Sequence, residues 1–423
     1  MTTKTKILFV DDEVNVLAAI KRMLRKKLND WDLSFAESGV DALALFEGNS
    51  FDVVVSDIKM PGMDGAELLT RIKDEHPGVI RIAFSGQVDL EEVMRSVNAV
   101  HQYISKPCEA EKLIGRIEGA LKSKELLTDQ KLIHLVTEIE SLPVLPRVLR
   151  EVENELGKEE PSLEIIAELI TQDIGLVTKI LKLVNSPFFG VPAQIESIYK
   201  AITMLGLDTI KSLILSTHLF ALYNDKVLPN YSLNMLWEHC FRVSNIARLI
   251  AECEGADKKT VTESRMAGLL HDVGKLILIN YFPQKYAEVL TMVEKGTAPI
   301  CELEKSVFGT THAEIGAYLM GLWGVPGNVV HGIGFHHEYE SLDMSVAMFL
   351  SLANVIDHNF VVINDNYARI KFKPNLASII CDDTKIRKWL KYIDEHWSDD
   401  DTYSFLDDGK VNMLFSQGGA CET

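Results

Sequence analysis

A histidine and an aspartate stand side by side at the end of an apolar run, in the segment Leu270-His271-Asp272-Val273-Gly274-Lys275. An imidazole and a carboxylate at neighbouring positions can bind the same metal ion. Lys275 comes four residues after His271, so on a helix its ammonium faces the same side and could contact a phosphate oxygen. The segment therefore predicts a site that holds a metal ion and an anionic substrate together.

Further residues with metal-binding side chains lie along the predicted helices on either side of this segment: His239, His312, His336, His337 and Asp357. Imidazole and carboxylate ligands together suit Mn, Fe, Zn or Ni. A bridging carboxylate such as Asp272 would let two ions lie a few ångström apart, where they could activate water and neutralise a phosphodiester. Each histidine taken singly could instead be a buried side chain that only satisfies a hydrogen bond. The whole set is harder to explain in that way.

A second group of polar residues comes directly after short apolar runs in the first 120 residues. Asp11 and Asp12 follow the first run, Asp57 the third, Ser85 the fourth and Lys106 the fifth. In a doubly wound sheet, the carboxyl ends of the parallel strands form the reactive edge. Three carboxylates there repel one another unless a divalent cation neutralises them, and oxygen ligands suit Mg²⁺. One carboxylate could then attack a phosphoryl group while Lys106 and Ser85 hold its oxygens.

The apolar runs themselves read as the strands that position these groups: residues 7–10, 33–36, 53–55, 80–84 and 102–104. The segments between them are apolar at helical spacing. This alternation predicts an α/β doubly wound domain with a five-stranded parallel sheet.

Four motifs of this region occur in an order that resembles a response-regulator receiver domain. They are Val10-Asp11-Asp12-Glu13, the segment SDIKMPGMDG at 56–65, Phe84-Ser85-Gly86 and Ser105-Lys106-Pro107. The resemblance covers residues 6–120. It implies that Asp57 is the phosphoacceptor, that Asp11 and Asp12 help to bind Mg²⁺, that Ser85 and Tyr103 form the switch pair, and that Lys106 contacts the phosphoryl group. It also implies a cognate histidine kinase as a partner.

Past residue 141 the apolar pattern becomes almost purely helical. Four stretches there resemble the HDOD family: Leu142-Pro143-Val144-Leu145-Pro146, Thr171-Gln172-Asp173, VNSPFFG at 184–190 and AITMLGL at 201–207. This family is an all-α bacterial signalling domain related to the HD superfamily of metal-dependent phosphohydrolases, whose signature resembles His271-Asp272. The resemblance implies a helical output module with a regulatory role.

The match to the catalytic HD relatives implies two ion positions. One would be formed by His239, His271, Asp272 and Asp357, and the second by His312, His336 and His337. The phosphodiesterase branch of these relatives carries a Gly-Tyr-Pro loop after the segment that matches residues 336–338. Residues 339–350 contain no such sequence, which argues against cyclic-di-GMP as the substrate.

Composition and charge limit the classes of partner. A net charge of −18 argues against a chain that binds DNA through a broad basic face, and no helix-turn-helix with a basic recognition helix is visible. The sequence has neither a leader of the secretory type nor an uncharged apolar run of about 20 residues, so we expect a cytoplasmic protein without a membrane partner. The six cysteines are scattered without a Cys-x-x-Cys pair, which argues against a disulfide framework.

We expect four regions: a receiver domain at 1–122, a helical linker at 123–140, an HDOD domain at 141–345, and a C-terminal helical extension with an acidic tail at 346–423. The apolar stripe of the linker ends at Pro143 and Pro146. It covers too few heptads for a coiled coil, so packing on the next domain is favoured, while pairing with a second copy in a homodimer stays open.

Two functions of different classes follow from these patterns. In the first, phosphorylation of Asp57 controls an HDOD output domain that acts on an unknown downstream protein through protein–protein contact. In the second, the receiver gates a metal-dependent phosphodiesterase of the HD type that uses the seven ligands and Lys275, with cyclic dinucleotides as one substrate class.

Overall fold

The computed structural model of the chain describes residues 4–86, 96, 99–127, 129–139, 143–144, 146–156, 158, 160–185, 194–206, 221–222, 233–295, 298–338, 343–360 and 383–397. Two features discussed above lie outside these residues, namely most of the VNSPFFG segment and the acidic tail. By its internal contacts the chain forms two compact units. Unit 1 comprises Met1–Ile170, Gly175–Leu222 and Tyr318–Val325, and unit 2 comprises Thr171–Ile174, Tyr223–Ala317 and Pro326–Thr423.

A five-stranded parallel sheet lies in unit 1, as the apolar runs predict. Its strands β1 to β5 span Thr5–Val10, Trp31–Ala36, Val53–Ser56, Ile80–Ser85 and Gln102–Ser105. They pair in the order β2-β1-β3-β4-β5. Val10 is in register with Ser56, and Ser56 with Ala83. The residues that follow β1, β3 and β4 therefore emerge side by side at one edge.

Among the described residues of this region, four α-helices accompany the sheet: α1 to α4 span Val14–Met23, Gly39–Phe46, Gly65–Glu75 and Ala110–Lys124. The Asp64 side chain accepts a hydrogen bond from the Glu67 amide and so caps α3. A Cβ at the next residue, Gly65, would lie 1.9 Å from the Asp57 carbonyl oxygen. The end of the SDIKMPGMDG motif therefore packs α3 directly against the backbone of Asp57.

The predicted linker at 123–140 contains the last residues of helix α4, which ends at Lys124, and the whole of helix α5, which spans Gln130–Glu138. The Asp129 side chain accepts a hydrogen bond from the Lys131 amide and starts the second helix. The apolar residues of α5 are buried, which agrees with packing on the protein interior: Leu132, Ile133 and Val136.

A buried polar network ties α5 to the sheet within unit 1. The Arg81 amide donates to His101 Nδ1 at 2.9 Å, and Arg81 Nη2 donates to the Thr137 carbonyl at 3.2 Å. His101 Nε2 lies 2.9 Å from the same carbonyl. Because Nδ1 accepts a hydrogen bond, it carries no proton, and His101 is neutral. Burial, with a smaller effect of the Arg81 charge, holds the pKa of His101 well below its ordinary value.

Acidification should weaken this network. The unfolded chain takes up a proton at His101 as the pH falls through about 6.5, whereas the folded chain does not. The stability that depends on neutral His101 is thus present at neutral pH and declines on acidification, by about 1.4 kcal/mol per pH unit between about pH 6 and pH 5. Urea unfolding at several pH values measures this slope. His101→Gln should have a smaller slope than the wild type, and equal slopes would contradict the assignment.

Helices dominate the rest of the chain. Helices α6 to α9 span Pro146–Leu156, Leu163–Thr171, Ile174–Val184 and Ile198–Leu205. Helices α10 to α14 span Leu233–Cys253, Lys258–Leu270, Val273–Tyr281, Pro283–Glu294 and Ile300–Phe308. Helices α15 to α18 span His312–Leu322, Gly327–Phe335, Val346–Phe360 and Asp383–His396.

One small element was not expected from the helical pattern. Pro143–Val144 (β6) pairs in parallel with Ala221–Leu222 (β7). Strands of two residues are too short to show an alternating pattern in the sequence. Among the helices that the structure describes, none has both the length and the apolar character needed to cross a bilayer.

Candidate functional site

The predicted phosphoacceptor lies at the carboxyl edge of the sheet. Asp57 Oδ1 accepts a hydrogen bond from Ser85 Oγ at 2.6 Å, and the Lys106 ammonium contacts Oδ2 of both Asp57 and Asp11. Carboxylate oxygens of Asp11, Asp12 and Asp57 lie within 4.8 Å of one another, with Asp12 exposed to solvent. This arrangement fits Mg²⁺, which binds through a few carboxylates and keeps several waters.

Charges at this edge compensate one another. Burial raises the pKa of Asp11. Burial would lower the pKa of Lys106, but hydrogen bonds to Asp11 and Asp57 raise it above its ordinary value. The ammonium therefore stays charged between the two carboxylates. Tyr103, the second member of the predicted switch pair, is buried, and its hydroxyl lies 2.9 Å from Ser96 Oγ.

In unit 2, five histidines from four helices or their ends gather around Asp272. They lie on α10, at the end of α11, at the start of α15 and just after α16: His239, His271, His312, His336 and His337. Nε2 of His239 and Nε2 of His271 lie 3.6 and 3.5 Å from Asp272 Oδ2. Nε2 of His312 and Nε2 of His336 lie 3.2 and 3.9 Å from Oδ1. Asp272 thus presents one oxygen to each pair, as a bridging carboxylate does.

Backbone carbonyls hold the second ring nitrogen of two of these histidines. Nδ1 of His271 lies 2.7 Å from the Gly268 carbonyl oxygen, and Nδ1 of His336 lies 2.7 Å from that of Ile333. Since a carbonyl oxygen only accepts, each Nδ1 carries the proton, and Nε2 of the neutral ring offers a lone pair. Metal-binding histidines are oriented in the same manner.

Carboxylates orient two more histidines of the cluster. Nδ1 of His312 lies 2.6 Å from Glu304 Oε2, and Nδ1 of His239 lies 2.7 Å from Asp357 Oδ2. Arg242 donates to both Asp357 oxygens, from Nε at 2.6 Å and from Nη2 at 3.1 Å. The expected role of Asp357 as a direct ligand does not match this geometry. Its carboxylate lies behind His239, where it fixes the orientation of the imidazole.

Two buried atoms at the centre have no partner with hydrogen-bonding geometry among the described residues: Asp272 Oδ1 and His336 Nε2. In addition, His239 Nε2 and His271 Nε2 face each other at 3.1 Å. Burial lowers the pKa of His271 to about 3, so its ring is neutral. Buried polar atoms in proteins are nearly always satisfied. Divalent cations, one at each oxygen of Asp272, would satisfy these atoms, and the donor set fits Mn, Fe, Zn or Ni.

The charge state of the cluster also suits a cation. Burial disfavours ionised Asp272, but His271, Lys275 and His312 hold the pKa of this carboxyl well below its ordinary value. Lys275 Nζ donates to Asp272 Oδ2 at 2.6 Å. The lysine predicted to meet a phosphate oxygen therefore lies at the cluster and contacts its central carboxylate.

Four residues at the cluster were not anticipated from the sequence: Arg242, Cys301, Glu304 and His358. Arg242 follows His239 by three positions on α10, a spacing that places both on one helix face and could have indicated it. Glu304 precedes His312 by eight residues, and no periodic pattern links the two. Their contact depends on how α14 and α15 pack.

The glycine of the His-Asp segment is required by a close approach of two backbones. A Cβ at Gly274 would lie 1.9 Å from the carbonyl oxygen of His312. Gly274→Ala should separate α12 from α15 and cost about 1–3 kcal/mol in the free energy of unfolding, with weaker metal binding. At Gly327 nothing lies within 4 Å of the added Cβ, so Gly327→Ala should be neutral or slightly stabilising. Urea denaturation compares the stabilities of the two variants. Equal stabilities would contradict the close approach of Gly274 to the His312 carbonyl.

Comparison with known proteins assigns both parts of the chain. The profile of the response regulator receiver domain matches residues 7–118, and the profile of the HDOD domain matches residues 142–339. The chain therefore carries a receiver domain of the kind found in two-component signalling, followed by an HDOD domain.

Individual relatives resemble parts of this chain. An uncharacterized protein of Treponema pallidum (strain Nichols) is 30% identical over 218 residues, which cover 49% of the chain and 41% of that protein. The hydrogenase transcriptional regulatory protein HoxA of Cupriavidus necator is 32% identical over 141 residues, which cover 33% of the chain and 28% of HoxA. The match therefore spans less than half the length of each of these relatives. The MmoQ response regulator from Methylococcus capsulatus str. Bath is 26% identical, with 53% of this chain and 90% of that chain covered and a TM-score of 0.45.

Proposed function

We propose that a histidine kinase phosphorylates this response regulator at Asp57, and that the phosphoryl group controls how the HDOD domain contacts a downstream protein. Contacts of the receiver with residues 318–325, all within unit 1, support this proposal. Gln102 Nε2 on β5 donates to the Gly321 carbonyl at 3.2 Å, and Arg116 Nη1 on α4 donates to the Gly324 carbonyl at 2.6 Å. Arg116 Nη2 also donates to Gln194 Oε1 at 2.8 Å.

Through these contacts, strand β5 beside the acceptor site is connected to residues of the HDOD domain. Gln102 directly precedes Tyr103 on β5, and the same strand leads to Lys106, which contacts Asp57. With a phosphoryl group on Asp57, the Lys106 ammonium would contact that group in place of the carboxylates, and the end of β5 would change. The carbonyls held by Gln102 and Arg116 would then shift with it.

The test compares the full chain with and without Mg²⁺ and beryllium fluoride, a phosphoryl mimic. Hydrogen exchange of amides in residues 318–325 should change several-fold in the wild type. Arg116→Ala should still bind the mimic but show a much smaller change, whereas Lys112→Ala, on an exposed position of the same helix, should behave like the wild type. The proposal would be contradicted if the mimic changed neither hydrogen exchange nor oligomeric state nor partner binding.

A second candidate function, a metal-dependent phosphodiesterase gated by the receiver, is favoured by the convergence of the Nε2 atoms on Asp272. A pair of divalent ions held there would supply Lewis-acid chemistry to a phosphodiester and a water molecule. The chain contributes the orientation of the ligands through Glu304 and Asp357. We infer that the Lys275 ammonium, which donates to Asp272 Oδ2, would contact a phosphate oxygen of the substrate.

Elemental analysis followed by hydrolysis assays tests this candidate. The substrates are bis(p-nitrophenyl) phosphate and cyclic dinucleotides, supplied with Mn²⁺ or Fe²⁺. Hydrolysis should depend on bound metal and should be lost in His312→Ala. A preparation that stays metal-free and inactive after reconstitution would rule the enzyme out and leave the protein-binding output.

A further inference from the structure

A cysteine lies at the half-buried side of the histidine cluster, beside the second ion position. Ligand atoms of Cys301, His312 and His337 all lie within 4.8 Å of one another. Cys301 and His337 are partly exposed, whereas His312 is fully buried. Nε2 of His312 and Nε2 of His337 are 3.1 Å apart, close to the separation of about 3.4 Å between two nitrogens that bind one tetrahedral Zn²⁺ at about 2.0–2.1 Å.

Helix α14 supplies this cysteine from the same face that already serves the cluster. Cys301 and Glu304 are three positions apart on α14, so their side chains lie on one side of the helix. Glu304 accepts both from the His312 amide, at 2.9 Å, and from His312 Nδ1, at 2.6 Å. The contact that orients His312 therefore also fixes the position of the Cys301 thiol relative to the His312 ring.

The ligand groups compete for His312. His312 belongs to one group with Asp272 and His336 and to another with Cys301 and His337. One nitrogen lone pair binds one ion, so the second ion takes one set or a mixture of the two. His312 Nε2 lies 3.1 Å from His337 Nε2 and 3.2 Å from Asp272 Oδ1, whereas His336 Nε2 lies 3.9 Å from Asp272 Oδ1. These distances favour a mixed set in which His337, together with the Cys301 thiol of its group, replaces His336.

We propose that Cys301 is a thiolate ligand of the second ion position, together with His312 and His337. This proposal rests on the metal centre of the second candidate function, and it makes the centre chemically asymmetric. The buried position has nitrogen and oxygen ligands from His239, His271 and Asp272 Oδ2, whereas the outer position, which Asp272 Oδ1 faces, has a sulfur ligand in addition. A thiolate favours Zn²⁺, Co²⁺ and Fe²⁺ over Mn²⁺ and Mg²⁺ at the outer position.

Cobalt provides a direct readout that does not depend on activity. The full chain is titrated with Co²⁺ alone while visible and near-ultraviolet absorption are recorded. The wild type should show visible ligand-field bands together with a near-ultraviolet charge-transfer band from thiolate to cobalt. Cys301→Ser should lose the charge-transfer band and keep the ligand-field bands of the buried position. Cys253→Ser, also partly exposed but in none of the ligand groups found among the described residues, should retain both.

Zinc affinity gives a second measurement. Cys301→Ser should lower the affinity of the weaker site for Zn²⁺ by at least about tenfold, since even loss of a group behind a ligand has an effect of this size. Its apo form should unfold at the same urea concentration as the apo wild type, which excludes a folding defect.

The outcomes of the cobalt titration distinguish failure of the thiolate ligand from failure of the metal centre on which it rests. Ligand-field bands without a charge-transfer band in the wild type would overturn the thiolate ligand and leave the metal centre standing. A charge-transfer band that survives in Cys301→Ser would also overturn it. If Co²⁺ produces no bands in the wild type, both the thiolate ligand and the metal centre fail.

Discussion

Asp57→Asn should abolish phosphoryl transfer to the receiver domain, with incorporation from a phosphorylated histidine kinase or from acetyl phosphate falling below detection. An amide lacks the carboxylate oxygen that must attack phosphorus. The structure adds why no neighbour can replace it. Of the three carboxylates, Asp57 contacts both Lys106 and the Ser85 hydroxyl, the two groups expected to hold phosphoryl oxygens, whereas Asp11 contacts Lys106 alone of the two and Asp12 is exposed and lies outside these contacts.

Intact-mass measurement of the full chain with Mg²⁺ and a phosphodonor gives the extent of modification. Asp32→Asn provides a matched control, since Asp32 is an exposed aspartate on β2, away from the carboxyl edge. It should accept the phosphoryl group as the wild type does. Equal incorporation in Asp57→Asn and in the wild type would show that another residue is the acceptor.

The receiver half could be predicted almost entirely from the sequence because topology does most of the positioning there. Each predicted strand is found within one of β1 to β5, and a parallel sheet brings all carboxyl ends to one edge. Asp11, Asp57 and Lys106 therefore had to meet once the strands were identified. Among the described residues of this half, the separate start of α5 at Asp129 was not indicated by the periodic pattern.

The helical half was predictable as a set of ligand types but not as an arrangement. Helical periodicity gives the face on which His239 or His312 lies, yet it leaves open how one helix is rotated against the next. That rotation decides that Asp357 contacts Arg242 and stands behind His239, and that Glu304 reaches His312. The glycine at 274 shows the same limit, because its close approach to His312 becomes visible only when α12 and α15 are packed.

Asp272→Asn should remove bound metal from both ion positions, since each carboxylate oxygen faces one pair of histidines. It should also destabilise the fold by up to about 3–5 kcal/mol, because the buried Lys275 ammonium loses the carboxylate that it contacts. Inductively coupled plasma mass spectrometry of the purified chain measures the metal content. Urea unfolding with and without Zn²⁺ measures stability.

A double variant separates these two effects. Asp272→Asn with Lys275→Met removes the buried cation together with its partner, so it should recover much of the lost stability. It should still bind no metal. In the wild type, Zn²⁺ at about 100 times its dissociation constant should add about 2.7 kcal/mol to the free energy of unfolding, and both variants should lose this increment. A metal-dependent gain that persists in Asp272→Asn would show that the histidines hold the ion without the carboxylate, and Asp272 would then serve only as the counter-ion of Lys275.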